Sequence, residues 1–337
     1  MKQTKEQEYE VELELEERKE VSITKSILSW ILHNLKFLLI PGYRLEELSI
    51  REFEYEKTIS KRKFIQRLKS PLTMLGILIV FTISTFAIFP EWLSQYTFEE
   101  ANGAFYGAWQ PASLRHPLGT RDFGRDILAR LIYGARTSLT IALPSIGFSV
   151  VVGVVFGVIA GYYGGWVDSV IMRIMDVFLA FPSLIFALVF VSIWGPRMEL
   201  IMLAFGILGV PCYSRLIRGV VLQARQLPYI EAARTSGSGN WRIMFRHILP
   251  NTIQSIIISL TFNSGGVILA LAGLAFLGFS DFRLIEWGND VNDARLHLYD
   301  APWAAFWPGF MIFITVFGFM LVGDGLRDAL DPRLKNL

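Results

Sequence analysis

The sequence contains no lysine between Lys69 and Lys335, although the chain has 337 residues and 32 lysines and arginines. A protein that hydrolyses ATP with its own phosphate loop needs a glycine-rich stretch ending in lysine followed by serine or threonine. The long stretch without lysine excludes such a loop from most of the chain. If ATP hydrolysis serves this protein, another polypeptide must supply it.

Residues for disulfide, metal or proton chemistry are also scarce. The single cysteine, Cys212, lies in an apolar run, which excludes an internal disulfide and predicts packing in the core. The histidines are scattered, so no metal site is expected; they are His33, His116, His247 and His297. Asp168, Asp176 and Asp324 lie near predicted helix ends, which favours interface or cap roles over a proton relay.

The composition indicates a membrane protein. Hydrophobic residues make up 53% of the chain, charged residues 18%, and the mean hydropathy is +0.42. A net charge of +2 gives no indication of nucleic-acid binding. The first residues are polar and rich in glutamate, so we expect no cleavable signal peptide and a cytoplasmic N-terminus.

Long apolar runs predict an all-α membrane protein with six crossings, because a spanning helix needs about 20 apolar residues. Several contain prolines that neighbouring helices must accommodate, among them Pro144, Pro182, Pro211 and Pro308. The predicted crossings are residues 71–89, 139–160, 170–194, 200–221, 253–279 and 306–322.

Basic residues predict the orientation of these crossings. The cluster at 61–69 precedes the first crossing and places that flank in the cytoplasm, so six crossings return the C-terminus to the same side. The outer loop 91–136 also carries arginines, and we expect Asp122 and Asp126 to pair with some of them.

Residues 1–69 are predicted to form a cytoplasmic N-terminal extension ahead of a permease-like domain at 70–337. Residues 9–17 and 50–56 alternate in polarity like short strands. The apolar stretch 26–40 is too short to cross, which favours a helix lying on the inner membrane face. A seventh crossing, which would place the N-terminus outside, is the alternative.

A polar stretch at 229–251, YIEAARTSGSGNWRIMFRHILPN, interrupts the apolar runs. Pro228 suits a first helical position, and Gly237 can end that helix in a left-handed conformation. Asn240 is predicted to cap a second short helix. Leu249 and Pro250 are predicted to stop the second helix.

These residues carry a family resemblance. The letters EAA, then three residues, Gly and later ILP resemble the EAA loop of ABC importer permeases. The segments at 116–139, 274–279, 286–288 and 322–334 resemble the C-type subunits of dipeptide, oligopeptide and nickel permeases. The resemblance extends over 71–334, and residues 1–69 are longer than the usual extension. It implies a type I six-helix bundle.

The resemblance also implies a coupling role for the EAA segment, which we define as residues 223–251. Glu231 would anchor a coupling helix, although a plain N-terminal cap is the alternative. Ala232 and Ala233 would let the helix sit in a partner groove, or they reflect helix propensity alone. The implied coupling residues are Glu231, Ala232, Ala233, Gly237, Ile248, Leu249 and Pro250.

The implied partners are a second permease in a heterodimer, two ABC ATPases that bind ATP and Mg²⁺, an extracytoplasmic solute-binding protein and the lipid bilayer. No cofactor is expected in this chain. Peptides are the expected cargo, with oligosaccharides or nickel chelates as alternatives. Alternatives from other classes are a secondary carrier independent of ATPases and a membrane scaffold.

The outer loops 91–136 and 280–304 carry candidate contact residues. Asp122, Gly124, Arg125 and Asp126 form a charged turn that predicts either a salt-bridged outer cap or a docking site for the binding protein. The second loop is expected to present a solvated acidic surface made by Asp281, Glu286, Asp290, Asp293 and Asp300.

Two patterns concern the membrane interior. Glycines at every fourth position predict a close-packed helix face; they are Gly153, Gly157 and Gly161. Asn263 and Ser264, followed by two glycines, are expected to interrupt the fifth crossing near its middle and to line a passage. A kink satisfied by hydrogen bonds to a neighbouring helix is the alternative.

Overall fold

The computed structural model describes residues 68–103, 107–281 and 283–330, and the described part is helical without a strand, apart from one isolated β-bridge. The helices are α1 (Pro71–Ile88), α2 (Pro90–Leu93), α3 (Phe98–Asn102), α4 (Ile127–Tyr163), α5 (Gly165–Leu179), α6 (Ser183–Trp194), α7 (Met198–Ala224), α8 (Pro228–Thr235), α9 (Asn240–Arg242), α10 (Leu249–Phe276), α11 (Trp287–Ala294) and α12 (Pro302–Leu330). The predicted extension, with its strands and its interfacial helix at 26–40, lies outside the described residues.

The bundle has two ends, which the connections define. The EAA end carries the EAA segment and the short link between α4 and α5. The far end carries residues 89–126 and 277–301, which join α1 to α4 and α10 to α12. Chain direction alternates between the two ends, so each long helix or broken helix pair connects one end with the other.

The contact between α4 and α7 is the most extensive between any two of the described helices. A side chain at Gly153, Gly157 or Gly161 would meet α7 at less than 3 Å, and a methyl group on Gly157 would lie 2.6 Å from the Ser214 carbonyl oxygen. Ser214 in turn donates a hydrogen bond to the Gly153 carbonyl at 3.1 Å. The predicted glycine face therefore packs against another helix of the same chain.

Small residues also join α1 to α12. A methyl group on Gly76 would lie 2.6 Å from Leu321 Cβ, and one on Gly325 would lie 2.2 Å from the Thr73 side chain. Thr73 is buried although it lies in the first turn of α1. Close approach in the first two turns of α1 fixes this helix, whose outer face is largely apolar and exposed, against α12.

Among the described residues, five helices are long and apolar enough to span a membrane, and the number is six if a bent helix pair counts as one span. The predicted third crossing at 170–194 is a broken helix pair, since α5 and α6 meet at an angle of 79°. Pro182 precedes α6 directly and has no backbone N–H to extend α5. Pro144, Pro211 and Pro308, in contrast, lie inside continuous helices.

The membrane helices are longer than their apolar runs. Helix α4 begins at Ile127, twelve residues before the predicted start at 139, so Arg130 and Arg136 belong to a helix instead of a loop. Cys212 is exposed on the outer face of α7, which contradicts the prediction of core packing. Apolar runs identify the lipid-level part of a helix and miss its polar ends.

The α4–α7 contact predicts a sharp difference between two glycines of one helix. Gly157→Leu would force α4 away from α7, at a cost of about 1–3 kcal/mol or more. Gly147 lies on the same helix with open space around it, so Gly147→Leu is the matched control. We expect lower thermal stability in detergent for the Gly157 variant alone. Equal stability of the two variants would contradict this role.

Candidate functional site

The first helix of the EAA segment, α8, ends in a defined turn. Gly237 has a φ of +78°, a conformation that glycine adopts without strain. Its N–H donates to the Arg234 carbonyl and the Ser238 N–H donates to the Ala233 carbonyl, both at 3.0 Å. These two bonds form a Schellman motif, which confirms the predicted left-handed turn at Gly237.

Buried apolar side chains attach the EAA segment to the bundle. Ile230 of α8 and Ile243 and Ile248 of the following turns have no exposed surface. They form one cluster with Val158 of α4 and Val221 of α7. Ile248, which the sequence grouped with the coupling residues, therefore contributes to this cluster and not to an outer surface.

The sequence predicted that the second helix of the segment stops at Leu249 and Pro250. The structure shows instead that the helix continues through both residues. Residues Ile243–Ile248 form a π-helical turn, in which the Leu249 N–H donates to the Met244 carbonyl five residues back. The wider turn lets the helix continue into α10, with Pro250 in its first turn and exposed. Wide turns of this kind are rare and recur at functional sites.

Asn240 does not cap the second helix either. Gly239 holds the cap position without a side-chain bond, and Asn240 is the first helical residue. Its amide oxygen accepts a hydrogen bond of 2.8 Å from the Tyr162 hydroxyl at the end of α4. The Arg234 guanidinium lies 5.4 Å from the centre of the same tyrosine ring.

Arg225 strengthens the connection between the EAA segment and α4. Its guanidinium donates to the carbonyls of Gly161 and Tyr162 at 3.0 and 3.2 Å. These carbonyls belong to the last turn of α4, where a positive charge is favourable. Sequence reasoning missed both Tyr162 and Arg225, because their partners are distant in the chain.

The remaining face of the EAA segment is open. Glu231, in the first turn of α8, and Ala232 are exposed, whereas Ala233 is half-buried. Trp241 is 65% exposed and stacks on Phe245, with 4.3 Å between the ring centres. Both aromatic rings line an open groove of about 550 Å³ with Gly239, Arg242 and Arg246.

The far end contains a buried network of charges. Asp290 of α11 accepts from the Arg130 guanidinium at 2.6 Å and also pairs with Arg121, and all three side chains are 2% exposed. Arg121 pairs further with Asp122 and Asp293. Burial raises the pKa of Asp290, but the opposing effect of Arg121 and Arg130 prevails, and its pKa is lower than usual.

The predicted charged turn is part of this network. Asp126 caps α4 by accepting from the Ala129 N–H at 2.8 Å, and it pairs with His116 at 2.9 Å. Gly124 has a φ of +72°. Arg125 binds the Gly103 carbonyl at 3.0 Å and lies 3.5 Å from Asp122. The geometry fits an outer cap.

The prediction of a solvated acidic surface at 280–304 is wrong for three of its members, because Asp281, Glu286 and Asp290 are buried. Asp290 and Glu286 are buried, at 2% and 3% exposure, because α11 inserts between the long helices. Trp287 has no exposed surface and donates to the Leu131 carbonyl at 3.0 Å. Asp281 pairs with Arg283, while Asp300 is exposed.

Comparisons with known proteins agree with this architecture. A family model described as "Binding-protein-dependent transport system inner membrane component" matches residues 153–336. The chain belongs to this family. It is therefore a permease subunit of an ABC importer and an inner membrane component, as the resemblance implied.

Individual relatives cover most of the permease. This chain is 41% identical to the dipeptide transport system permease protein DppC of Alkalihalophilus pseudofirmus. The match extends over 277 residues, which are 82% of this chain and 90% of that protein. The chain is 44% identical to the glutathione transport system permease protein GsiD of Pectobacterium atrosepticum over 225 residues, which are 66% and 75% of the two chains. GsiD of Escherichia coli O157:H7 is 38% identical over 266 residues, 79% of this chain and 88% of that protein.

Asn263 and Ser264, the two residues predicted to line the passage, differ in their surroundings. Helix α10 is continuous through both of them, so the expected interruption is absent. Ser264 is buried, and its hydroxyl donates to the Leu260 carbonyl at 2.8 Å, as serine often does inside a helix. Asn263 is half-buried, and its amide donates to the Ser259 hydroxyl at 3.3 Å.

The charge network predicts a large effect of Asp290→Asn. The change leaves the buried Arg130 without its carboxylate, which typically costs about 3–5 kcal/mol. We expect a clear fall in the thermal unfolding temperature of the purified permease. Asp300→Asn in the same connection removes an exposed carboxylate and is the control. A stable Asp290 variant would show that the network contributes little.

Glu286 predicts a pH dependence at the far end. Burial raises its pKa from 4.5 to about 8, so the folded permease retains a proton that the unfolded chain releases in this window. The contribution of Glu286 to the free energy of unfolding is largest below pH 4.5. It declines by about 1.4 kcal/mol for each pH unit as the pH approaches 8. Glu286→Gln mimics the protonated form, so it should match the wild type at pH 5 and exceed it at pH 8.

The matched control for this pH dependence is Glu99→Gln, which changes an exposed glutamate at the same end. Thermal unfolding of the three proteins between pH 5 and pH 8 measures the effect. A constant difference between Glu286→Gln and the wild type across this range would contradict the prediction.

Proposed function

We propose that this permease forms half of a peptide importer driven by two partner ATPases, which bind ATP and Mg²⁺. The sequence relatives named for dipeptide and glutathione transport support peptide cargo. A second, similar permease would complete the passage as a heterodimer. A solute-binding protein would deliver the peptide at the far end, where Phe123 is 57% exposed beside the charged turn.

The geometry of the EAA segment carries the proposal that it docks an ATPase. One face is fixed to the bundle through Ile230, while Glu231 and Ala232 on the other face are exposed. Small side chains on an exposed helix allow close approach of a partner groove. The open aromatic groove beside Trp241 extends the same surface.

Two routes would transmit movement of this segment into the membrane. The first runs into α4, through the hydrogen bond between Tyr162 and Asn240 and through that from Arg225 to the Gly161 carbonyl. The second runs through the π-helical turn into α10. The sequence suggested the route through the fifth crossing alone, and the contacts with α4 add a stiffer connection.

The orientation follows from the same assignment. The ATPases bind in the cytoplasm, so the EAA end and both chain termini are proposed to be cytoplasmic. The passage is proposed to follow α10, where Asn251, Ser255, Ser259 and Asn263 recur at every fourth position. Ser259 and Asn263 are half-buried, and the hydrogen-bonding needs of peptide groups match such side chains.

A pair of glycines tests the coupling proposal. Gly237→Val would strain the left-handed turn by about 1–2 kcal/mol, although no neighbouring atom obstructs the new side chain. Gly147 of α4 also has open space, adopts no left-handed conformation and lies outside the EAA segment, so Gly147→Val is the control. We expect ATP-dependent peptide uptake by the reconstituted complex to fall about tenfold for Gly237→Val alone.

Affinity purification of the tagged permease accompanies this assay. Recovery of two ATPases and a second permease supports the proposed assembly. Peptide uptake by the permease without ATPases or ATP would contradict it and indicate a secondary carrier. Normal uptake by Gly237→Val would contradict the coupling role of the turn while leaving peptide import intact.

A further inference from the structure

Two ion pairs connect α5 with α7. Arg218 binds both carboxylate oxygens of Asp168, at 2.5 and 2.6 Å, and Asp168 is 14% exposed. Arg215 lies 2.5 Å from Asp176, but here the two side chains are 51% and 45% exposed. The first pair is enclosed and holds the helices together, whereas the second retains free hydrogen-bonding capacity.

The exposed pair lies at membrane depth. Asp176 lies six residues inside the apolar run 170–194, and Arg215 lies six residues inside the run 200–221. At a rise of 1.5 Å per residue, both lie roughly 9 Å from the ends of these runs that are nearer the EAA end. The hydrocarbon layer is about 30 Å thick, so the pair lies within it.

Half-exposed charges at this depth cannot face lipid without a large cost. Such groups face a water-filled cavity or another protein chain. Two small residues flank Arg215 on the exposed side of α7, Cys212 three positions before it and Gly219 four positions after it. A methyl group on Gly219 would meet no atom within 4 Å, so space for a ligand remains beside the guanidinium.

The break between α5 and α6 adds a second feature at the same place. Asp176 lies in the last turn of α5, which ends at Leu179, and α6 then departs at 79°. The carbonyl groups at the end of a helix carry partial negative charge and favour cations. Broken helices near the middle of the membrane commonly supply substrate sites in transporters.

We propose that Arg215 and Asp176 form a binding site for the charged ends of a peptide in transit. The Arg215 guanidinium binds the terminal carboxylate, while Asp176 and the carbonyl end of α5 bind the terminal ammonium group. The inference rests on the proposed peptide import. Without a ligand the two side chains neutralise each other, and the ligand replaces one ion pair by two, so binding is weak enough for release.

Uptake of matched peptides by the reconstituted complex tests this site. The peptides share one sequence and carry a free or an amidated C-terminus. The binding protein is the same in all assays, so a change in the ratio of the two uptake rates is caused by the change in the permease. We expect Arg215→Gln to lower uptake of the free-carboxylate peptide about tenfold relative to the amidated one. Asp176→Asn should likewise lower uptake of a peptide with a free N-terminus relative to the same peptide with an acetylated N-terminus.

Arg197→Gln is the matched control, because Arg197 is an exposed arginine directly before α7 with no ion pair in the described part of the chain. It should leave both ratios at their wild-type values. Recovery of the assembled complex is measured for each variant. An unchanged ratio in an assembled Arg215 variant would overturn the site and leave peptide import standing.

Loss of the second permease from the Arg215 variant would identify the pair as a subunit contact and also overturn the site. A wild-type complex that imports neither peptide would overturn the proposed function itself, and the inference with it. The two failures are therefore distinguishable by the wild-type measurement.

Discussion

The close contact between α4 and α7 determines the arrangement of the rest of the permease. Three glycines bring the two backbones together over three turns, and the ends of both helices then meet at the EAA end. Arg225 can reach the α4 carbonyls because α7 ends beside them. The same contact places α5, which follows α4 directly, along α7 with both ion pairs in register. The proposed coupling and passage therefore both depend on one packing interaction.

The two ends of the bundle are held by different forces, which suits different tasks. At the far end, buried charges and the inserted Trp287 connect α4, α11 and the residues around Arg121. Separating these groups would leave charges unpaired in a medium of low polarity, so this end resists change. At the EAA end, apolar packing and a few hydrogen bonds dominate, and a π-helical turn joins the segment to α10. Rearrangement costs less there.

Much of this organisation could be predicted from the sequence, for physical reasons. Apolar length indicated the crossings, and glycine at position 237 indicated the left-handed turn, since both depend on local chemistry. The burial of Asp290 and Glu286 could not be predicted, because it depends on α11 entering the bundle, and their polar stretch resembles a surface loop. Asn240 showed the limit of local rules: it could have capped its helix, but the Tyr162 hydroxyl from a distant helix binds its side chain. Pro182 did carry a signal for the break before α6.

Three arginine–aspartate pairs among the described residues show how burial determines the role of an ion pair. Arg130 and Asp290 are each 2% exposed and fix the far end. Arg218 and Asp168, at 36% and 14%, bind in two-point geometry and attach α5 to α7. Arg215 and Asp176, at 51% and 45%, retain unused donors and acceptors at membrane depth. A buried pair cannot exchange partners without leaving a charge unpaired in the protein interior, whereas an exposed pair can. The proposed exchange with a peptide therefore favours the least buried of the three, and that pair lies beside the broken helix.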